Sequence, residues 1–198
     1  MNQTLPEAVE LLQHPLDPEN FTEIVEQYQK PVYNLCARML GDPDEAEDAA
    51  QESFWKAYKN ISSYDPQRPF LTWLLSIAAH YCIDQIRKRR FSSISMDIMP
   101  EDFIPDLDPS PESEAAQTEE QRKIRGLLDI LAPEDKSAVI MRYWYDFSDE
   151  EIGSVLHLTV SAVKSRLFRA RKLMAQEWLK NETPTILPTR RTHEPSAV

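Results

Sequence analysis

Lys164, Arg166, Arg169, Arg171 and Lys172 crowd one short stretch, and no Asp or Glu occurs from Ser161 to Gln176. Cations spaced this way do not perform acid–base catalysis at neutral pH; they neutralise phosphates and hydrogen-bond to base edges. At about 100° per residue the stretch has two faces. Val163, Leu167, Ala170 and Met174 form an apolar stripe, and Ser161, Ser165, Arg169 and Lys172 lie opposite, with Lys164 and Phe168 beside them and Arg166 and Arg171 at the flanks. Phe168 sits roughly 120° from the centre of the apolar stripe, where an aromatic ring can meet a thymine methyl group. A basic helix alone more often means a solvated face. The preceding residues set this one apart: Ser148 and Glu151 make a capping box, Ile152, Val155 and Leu156 supply a buried face, and His157-Leu158-Thr159 is the turn. Ser148 to Lys172 therefore reads as a helix-turn-helix, with Thr159 or Ser161 capping its second helix.

A second basic run, Arg87-Lys88-Arg89-Arg90, closes another helical pattern. Cations favour a helix C-terminus, but capping alone needs fewer of them. On the same helix Trp73, Ser76, His80 and Arg87 align at i, i+3, i+7 and i+14. An aromatic, two hydrogen-bonding groups and a cation on one strip suit unstacked bases and the phosphates between them. Trp73 serves equally well as a partly buried core residue. His80 has no Cys, His or carboxylate at metal-ligand spacing, so no metal is expected there. The third cluster is acidic: Asp42, Asp44, Glu45, Glu47, Asp48 and Glu52 crowd the start of one helix. The macrodipole accounts for some of these. Asp48, Gln51, Glu52 and Trp55 at i, i+3, i+4 and i+7 form a stripe able to dock a basic partner.

These surfaces need helices to hold them, and the rest of the chain supplies helical signals. Only three glycines occur in 198 residues, apolar residues recur every three or four positions, and no strand pattern is present, which predicts an all-α protein. Phe21, Ile24, Val25 and Tyr28 make one stripe, after which Pro31 is read as restarting the helix to Gly41. Asp42-Pro43 opens a second helix to about Asn60, with Ala46, Ala50, Phe54, Ala57 and Tyr58 inward; 62–69 is a loop; and a third helix, 70–90, buries Phe70, Leu74, Ile77, Ala78 and Tyr81. Helices are then expected at 114–131, 133–145, 148–156 and 160–179. Two small helical domains, 19–91 and 114–180, are joined by an acidic, proline-rich, flexible linker, 92–113, with disordered ends at 1–18 and 181–198.

The net charge of −11, averaged over the chain, opposes nucleic-acid binding, but Lys and Arg are absent from 1–29 and 91–121 and concentrate in the two basic helices. The linker acids are read as nucleic-acid mimics that run through a basic partner channel. No apolar run is long enough to span a membrane and the N-terminus lacks the pattern of a signal peptide, so a soluble, cytoplasmic protein is expected. Cys36 and Cys82 are far apart in sequence within apolar patterns and are expected in the core, with no disulfide framework or zinc site. No carboxylate pair, activated nucleophile or phosphate loop is found, so neither catalysis nor a cofactor is expected.

Taken together and in order, the stretches PVYNL (31–35), GDPDEAEDAAQESF (41–54), FLTWLLSIA (70–78), IDQIR (83–87) and VKSRLFRAR (163–171) resemble the extracytoplasmic-function sigma factors of bacterial RNA polymerase, in the sigma-70 family. The resemblance covers about 21–90 and 119–178. It implies that Asp48, Gln51, Glu52 and Phe54, with Trp55 on the same stripe, dock on the clamp helices of core RNA polymerase. It implies that loop 62–69, with Tyr64 and Arg68, and the following helix, with Trp73, His80, Arg87, Lys88 and Arg90, melt and read the promoter −10 element. The last helix then reads double-stranded −35 DNA through Ser161, Lys164, Ser165, Arg166, Phe168, Arg169 and Lys172. An inhibitory anti-sigma partner is implied as well. Two positions depart from the family pattern: His80 stands where asparagine is frequent, and His157 where the turn usually has glycine. The rival reading is a dimeric helix-turn-helix regulator working without polymerase, which leaves the Trp73–Arg90 strip and the acidic stripe unexplained.

Overall fold

A computed structural model of the protein describes residues 18–96 and 118–182. Among these residues there are helices and turns and no strand. The first module comprises α1 (Pro18–Leu40), α2 (Pro43–Lys59), a short 3-10 turn (Ile61–Ser63) and α3 (Phe70–Met96). The second comprises α4 (Glu119–Asp129), α5 (Pro133–Trp144), α6 (Asp149–Leu156) and α7 (Val160–Glu182). Of the expected ends and linker, residues 1–17, 97–113 and 183–198 lie outside the described residues, while α1 takes in Pro18, α3 takes in 92–96 and α7 runs on to Glu182.

Pro31 does not restart a helix. It stands inside α1, which runs unbroken from Pro18 to Leu40. The missing proline N–H deprives one carbonyl of its helical partner, yet Ile24, Tyr28, Val32, Leu35, Cys36 and Met39 form one buried stripe across the proline. Packing along both turns keeps the helix whole. At Gly41 the backbone turns left-handed, φ 82°, and α1 stops. Asp42 then caps α2 by accepting from the Glu45 N–H at 2.9 Å, with Pro43 in the first turn. The third helix continues to Met96, six residues beyond its expected end at Arg90. Phe91, Ile94 and Met96, with the serines between them, continue a helix readily; they read as part of the proline- and acid-rich stretch only because they adjoin it.

The second module is defined by its caps. Thr118 and Gln121 form a reciprocal capping box at the start of α4, and Ser148 and Glu151 form another at α6. Thr159 accepts from the Ala162 N–H at 3.2 Å, which settles which residue caps α7. His157 takes the left-handed conformation, φ 54° and ψ 44°, which favours glycine, and ends α6 there. Gly153 permits the tight turn that follows. A methyl group there would lie 2.7 Å from the Leu158 carbonyl oxygen.

The two modules touch. Helices α5 and α6 pack on α3, and α5 also meets α1. The buried apolar residues run without a break from Ile24, Leu35, Leu74 and Ala78 to Ile140, Met141, Phe147, Ile152 and Leu167.

Candidate nucleic-acid interface

Helix α7 separates its faces as the spacing predicts. Val163, Leu167 and Ala170 are buried, Met174 is partly buried, and Ser161, Lys164, Ser165, Arg169 and Lys172 are exposed. Phe168 is 63% exposed. A large aromatic held in water beside four cations and no acid is a poor arrangement for stability and a good one for a polyanion with methyl groups in its groove. Two of the proposed contacts are engaged within the module. The Ser165 hydroxyl donates to the Ser161 carbonyl at 2.9 Å, and the Arg166 guanidinium meets Asp135 of α5 at 2.6 Å. Arg166 thus braces α7 against α5.

The strip on α3 is framed by an aromatic cluster. Tyr64, Phe70 and Trp73 sit with ring centroids 5.2, 5.3 and 5.5 Å apart, and the Tyr64 hydroxyl donates to the Arg68 carbonyl at 2.6 Å. Phe70 is fully buried while Tyr64 and Trp73 are partly covered, so the two outer rings pin the loop to the start of α3. Asp65 shapes the same loop by accepting from the Gln67 N–H at 3.0 Å. Further along, the Ser76 hydroxyl donates to the Trp73 carbonyl at 2.6 Å, and His80 Nδ1 lies 2.7 Å from the Ser76 carbonyl. A carbonyl only accepts, so Nδ1 carries the proton in this contact and Nε2 is the acceptor of the neutral ring. The basic run divides its duties. Arg89 pairs with Glu45 in the first turn of α2, and burial lowers its affinity for a proton, with Asp42 opposing that effect. Lys88 and Arg90 are exposed.

The acidic stripe is less uniform than its spacing implies. Asp48 and Glu52 turn toward α3, where Tyr81 loses its proton less readily, first through burial and then through the Glu52 charge. Lys56 lies over the same ring, 4.5 Å from its centroid. Gln51, Phe54 and Trp55 instead line an open apolar groove of about 740 Å³ between α1 and α2, together with Phe21, Val25 and Tyr33. Trp55 is 51% exposed and carries Lys59 over its ring at 4.4 Å. The α1 wall escaped the sequence reading, although Phe21, Val25, Gln29 and Tyr33 repeat at four-residue spacing. Its tally of inward residues hid a second face.

Cys36 and Cys82, distant in sequence, meet in the core. Both are fully buried, and a hydrogen bond from one thiol to the other, followed by burial, drives the Cys82 thiol far above its ordinary range. No group of three or more metal-binding side chains occurs among the described residues, and no helix there is long and apolar enough to cross a membrane.

Known proteins match both modules in the same order. The family described as Sigma-70 region 2 matches residues 24–92, and Sigma-70, region 4 matches residues 121–174. The chain is 34% identical over 179 residues to the ECF RNA polymerase sigma factor SigW of Bacillus subtilis (strain 168), spanning 81% of this chain and 90% of that one. It is 31% identical over 166 residues to the ECF RNA polymerase sigma-E factor of Haemophilus influenzae, spanning 80% and 87% of the two chains. The fold matches that of the sigma factor RpoE in complex with the anti-sigma factor NepR from Bartonella quintana, with a TM-score of 0.64 and 23% identity over 83% of this chain and 99% of that one. With both sigma regions in order and relatives matched along most of their length, the chain belongs to the extracytoplasmic-function sigma factors of the sigma-70 family.

Proposed function

We propose that this sigma factor divides promoter-specific initiation among three surfaces. As a member of its family it binds core RNA polymerase and directs it to promoter DNA. In our reading the exposed face of α7, with Lys164, Phe168, Arg169 and Lys172, reads duplex −35 DNA. The loop from Ser62 to Pro69 and the α3 strip, with Arg68, His80, Arg87, Lys88 and Arg90, engage the −10 element as it opens. Tyr64 and Trp73 hold that loop in shape while offering their outer edges to bases. The α1–α2 groove, with Gln51, Phe54 and Trp55 in it and Asp48 and Glu52 on its flank, docks the polymerase clamp helices. The factor supplies recognition and no bond-making step, and it works where the polymerase works, in the cytoplasm on the nucleoid. An anti-sigma protein restrains it, by likeness to the complexes solved for related folds.

The observation that carries this reading is the solvent-facing Phe168 amid cations on a helix whose opposite face is buried. The test is to mix the purified chain with core RNA polymerase and a library of genomic fragments, then to map promoter opening with a single-strand probe. Opening that requires both components and shares two spaced sequence elements is expected. Tight binding to palindromic duplex without polymerase, together with no association with polymerase, would sink it.

A further inference from the structure

A second cleft lies beyond Tyr33, where the turn from α1 into α2 faces α4 and the end of α5. It encloses about 430 Å³, within the range of small-molecule sites. Two guanidiniums frame it from opposite modules. Arg38 of α1 donates to the Asn34 carbonyl at 2.9 Å and stands over the Trp144 ring at 5.2 Å, so it reaches toward α5. Arg125 of α4 reaches the other way and lies against Gly41; a methyl group on that glycine would stand 2.7 Å from its nearest guanidinium nitrogen. No carboxylate is among the residues that line the cleft. Asp42, in the turn between Gly41 and Pro43, is engaged as a helix cap on the Glu45 N–H. Asp129 is shared: it accepts from Lys136 at 2.7 Å and lies 3.8 Å from Arg125. One carboxylate thus serves two cations, and the cleft keeps an excess of positive charge.

The rest of the wall suits a flat ring. Tyr33 and Trp144 are 37% and 39% exposed, and Ile124 and Leu128 give an apolar floor. Asn34 and Gln121 add amides. Gln121 Oε1 accepts from the Thr118 N–H at 3.0 Å, which leaves its NH2 end as a donor. We propose that this cleft binds a small planar anion: an aromatic ring that carries a phosphate, a nucleoside monophosphate being one such molecule. Two forked cations with no facing acid match a dianionic phosphate better than a carboxylate. The aromatic walls take the ring, and the amides take its polar edge. None of Arg38, Arg125 and Trp144 belongs to the polymerase-docking groove or to the surfaces assigned to DNA, so the site does not rest on those assignments.

The test titrates the full chain with adenosine 5′-monophosphate, by calorimetry and by tryptophan fluorescence. Phenyl phosphate, adenosine and inorganic phosphate are run in parallel at matched ionic strength. Saturation at a single molecule per chain is expected for the two aromatic phosphates, with a change in tryptophan emission that Trp144→Phe removes while binding persists. Adenosine and inorganic phosphate each lack half of the recognition and are expected to bind at least about tenfold more weakly. Arg38→Gln and Arg125→Gln, shown to fold by thermal melting, should each weaken adenosine 5′-monophosphate by about tenfold. Arg169→Ala with Lys172→Ala, which removes two cations from the exposed face of α7, should leave that affinity as it is. Equal affinity for adenosine 5′-monophosphate and inorganic phosphate would overturn the site. So would affinity that is lost with Arg169 and Lys172 but kept in Arg125→Gln, since phosphate is then drawn to the basic helices in general. An absence of saturable binding by either aromatic phosphate overturns it as well. If Arg38→Gln does not fold, Arg125→Gln and the emission of Trp144→Phe decide. Tighter binding of adenosine 5′-monophosphate than of phenyl phosphate identifies nucleotides as the source of the ligand. Equal or tighter binding of phenyl phosphate identifies simpler aromatic phosphates, and either result supports the site.

Discussion

Arg169 and Lys172 share the exposed face of α7 but differ in what they offer a duplex: a planar fork that can grip one guanine, and a point charge that suits any phosphate. Arg169→Ala should therefore weaken binding to a cognate −35 duplex by about 1–3 kcal/mol and relax preference at one base pair. Lys172→Ala should weaken all duplexes alike and flatten the salt dependence. Titrations against a cognate site and single-pair variants, at two salt concentrations, separate the two outcomes. Arg166, on the flank of the same helix, is held by Asp135. Its replacement by Ala should lower unfolding stability by about 1 kcal/mol in denaturant melts. A variant with unchanged stability and lost specificity at one base pair would move Arg166 to the reading face. The sequence made this face legible because a helix's own geometry places each residue. It gave no hint of Asp135, whose partner lies 31 positions away.

At the scale of elements, short-range chemistry was again readable and long-range chemistry was not. The Ser148–Glu151 box, the Asp42–Pro43 start and the turn at His157 lie where their local patterns put them. Pro31 was misread because a proline signals a helix start only when the buried stripe breaks with it, and here the stripe continues through Met39. The extension of α3 to Met96 was missed because Phe91, Ile94 and Met96 directly precede the proline- and acid-rich stretch and read as part of it. The groove wall on α1 and the meeting of Cys36 with Cys82 depend on which helices pair, which no single helix encodes. The close turn after α6 offers a direct check of local geometry. Gly153→Ala pushes a methyl group against the backbone oxygen of Leu158, and backbone cannot swing aside as a side chain can. A loss of about 1–3 kcal/mol is expected from such overpacking, read as a lower melting temperature of the chain. An unchanged melting temperature would mean that the turn relaxes freely.

Across the whole molecule, the contact between modules places a lysine almost out of water. Lys136 is 5% exposed and meets Asp129 at 2.7 Å; burial lowers its pKa, and Asp129 only partly restores it. The folded chain therefore gives up this proton at lower pH than the unfolded chain, whose lysine titrates near 10.5. Stability from this group rises with pH from the depressed folded value up to that point, because the unfolded state binds more protons there. Tyr145 acts oppositely. Burial raises its pKa, so its contribution is complete below about pH 10 and declines above it. Lys136→Met fills the same space without a buried charge and leaves Asp129 half exposed. It should match or exceed the wild-type stability at pH 7, and its advantage should shrink as pH rises toward 10.5. Denaturant melts at stepped pH measure this, and an advantage that grows with pH would contradict the burial argument.

Helix α3 ends at Met96, and Thr118 caps the helix that follows. The connection, residues 97–117, reaches at most about 77 Å at roughly 3.5 Å per residue. Each module therefore experiences its partner at an effective concentration in the millimolar range, as short tethers generally impose. Contacts too weak to hold two separate proteins together suffice at that concentration, so the interface between α3 and α5–α6 needs no large area to persist. Shortening or lengthening the connection shifts that effective concentration, and with it the strength of the contact, without altering a single residue of the interface.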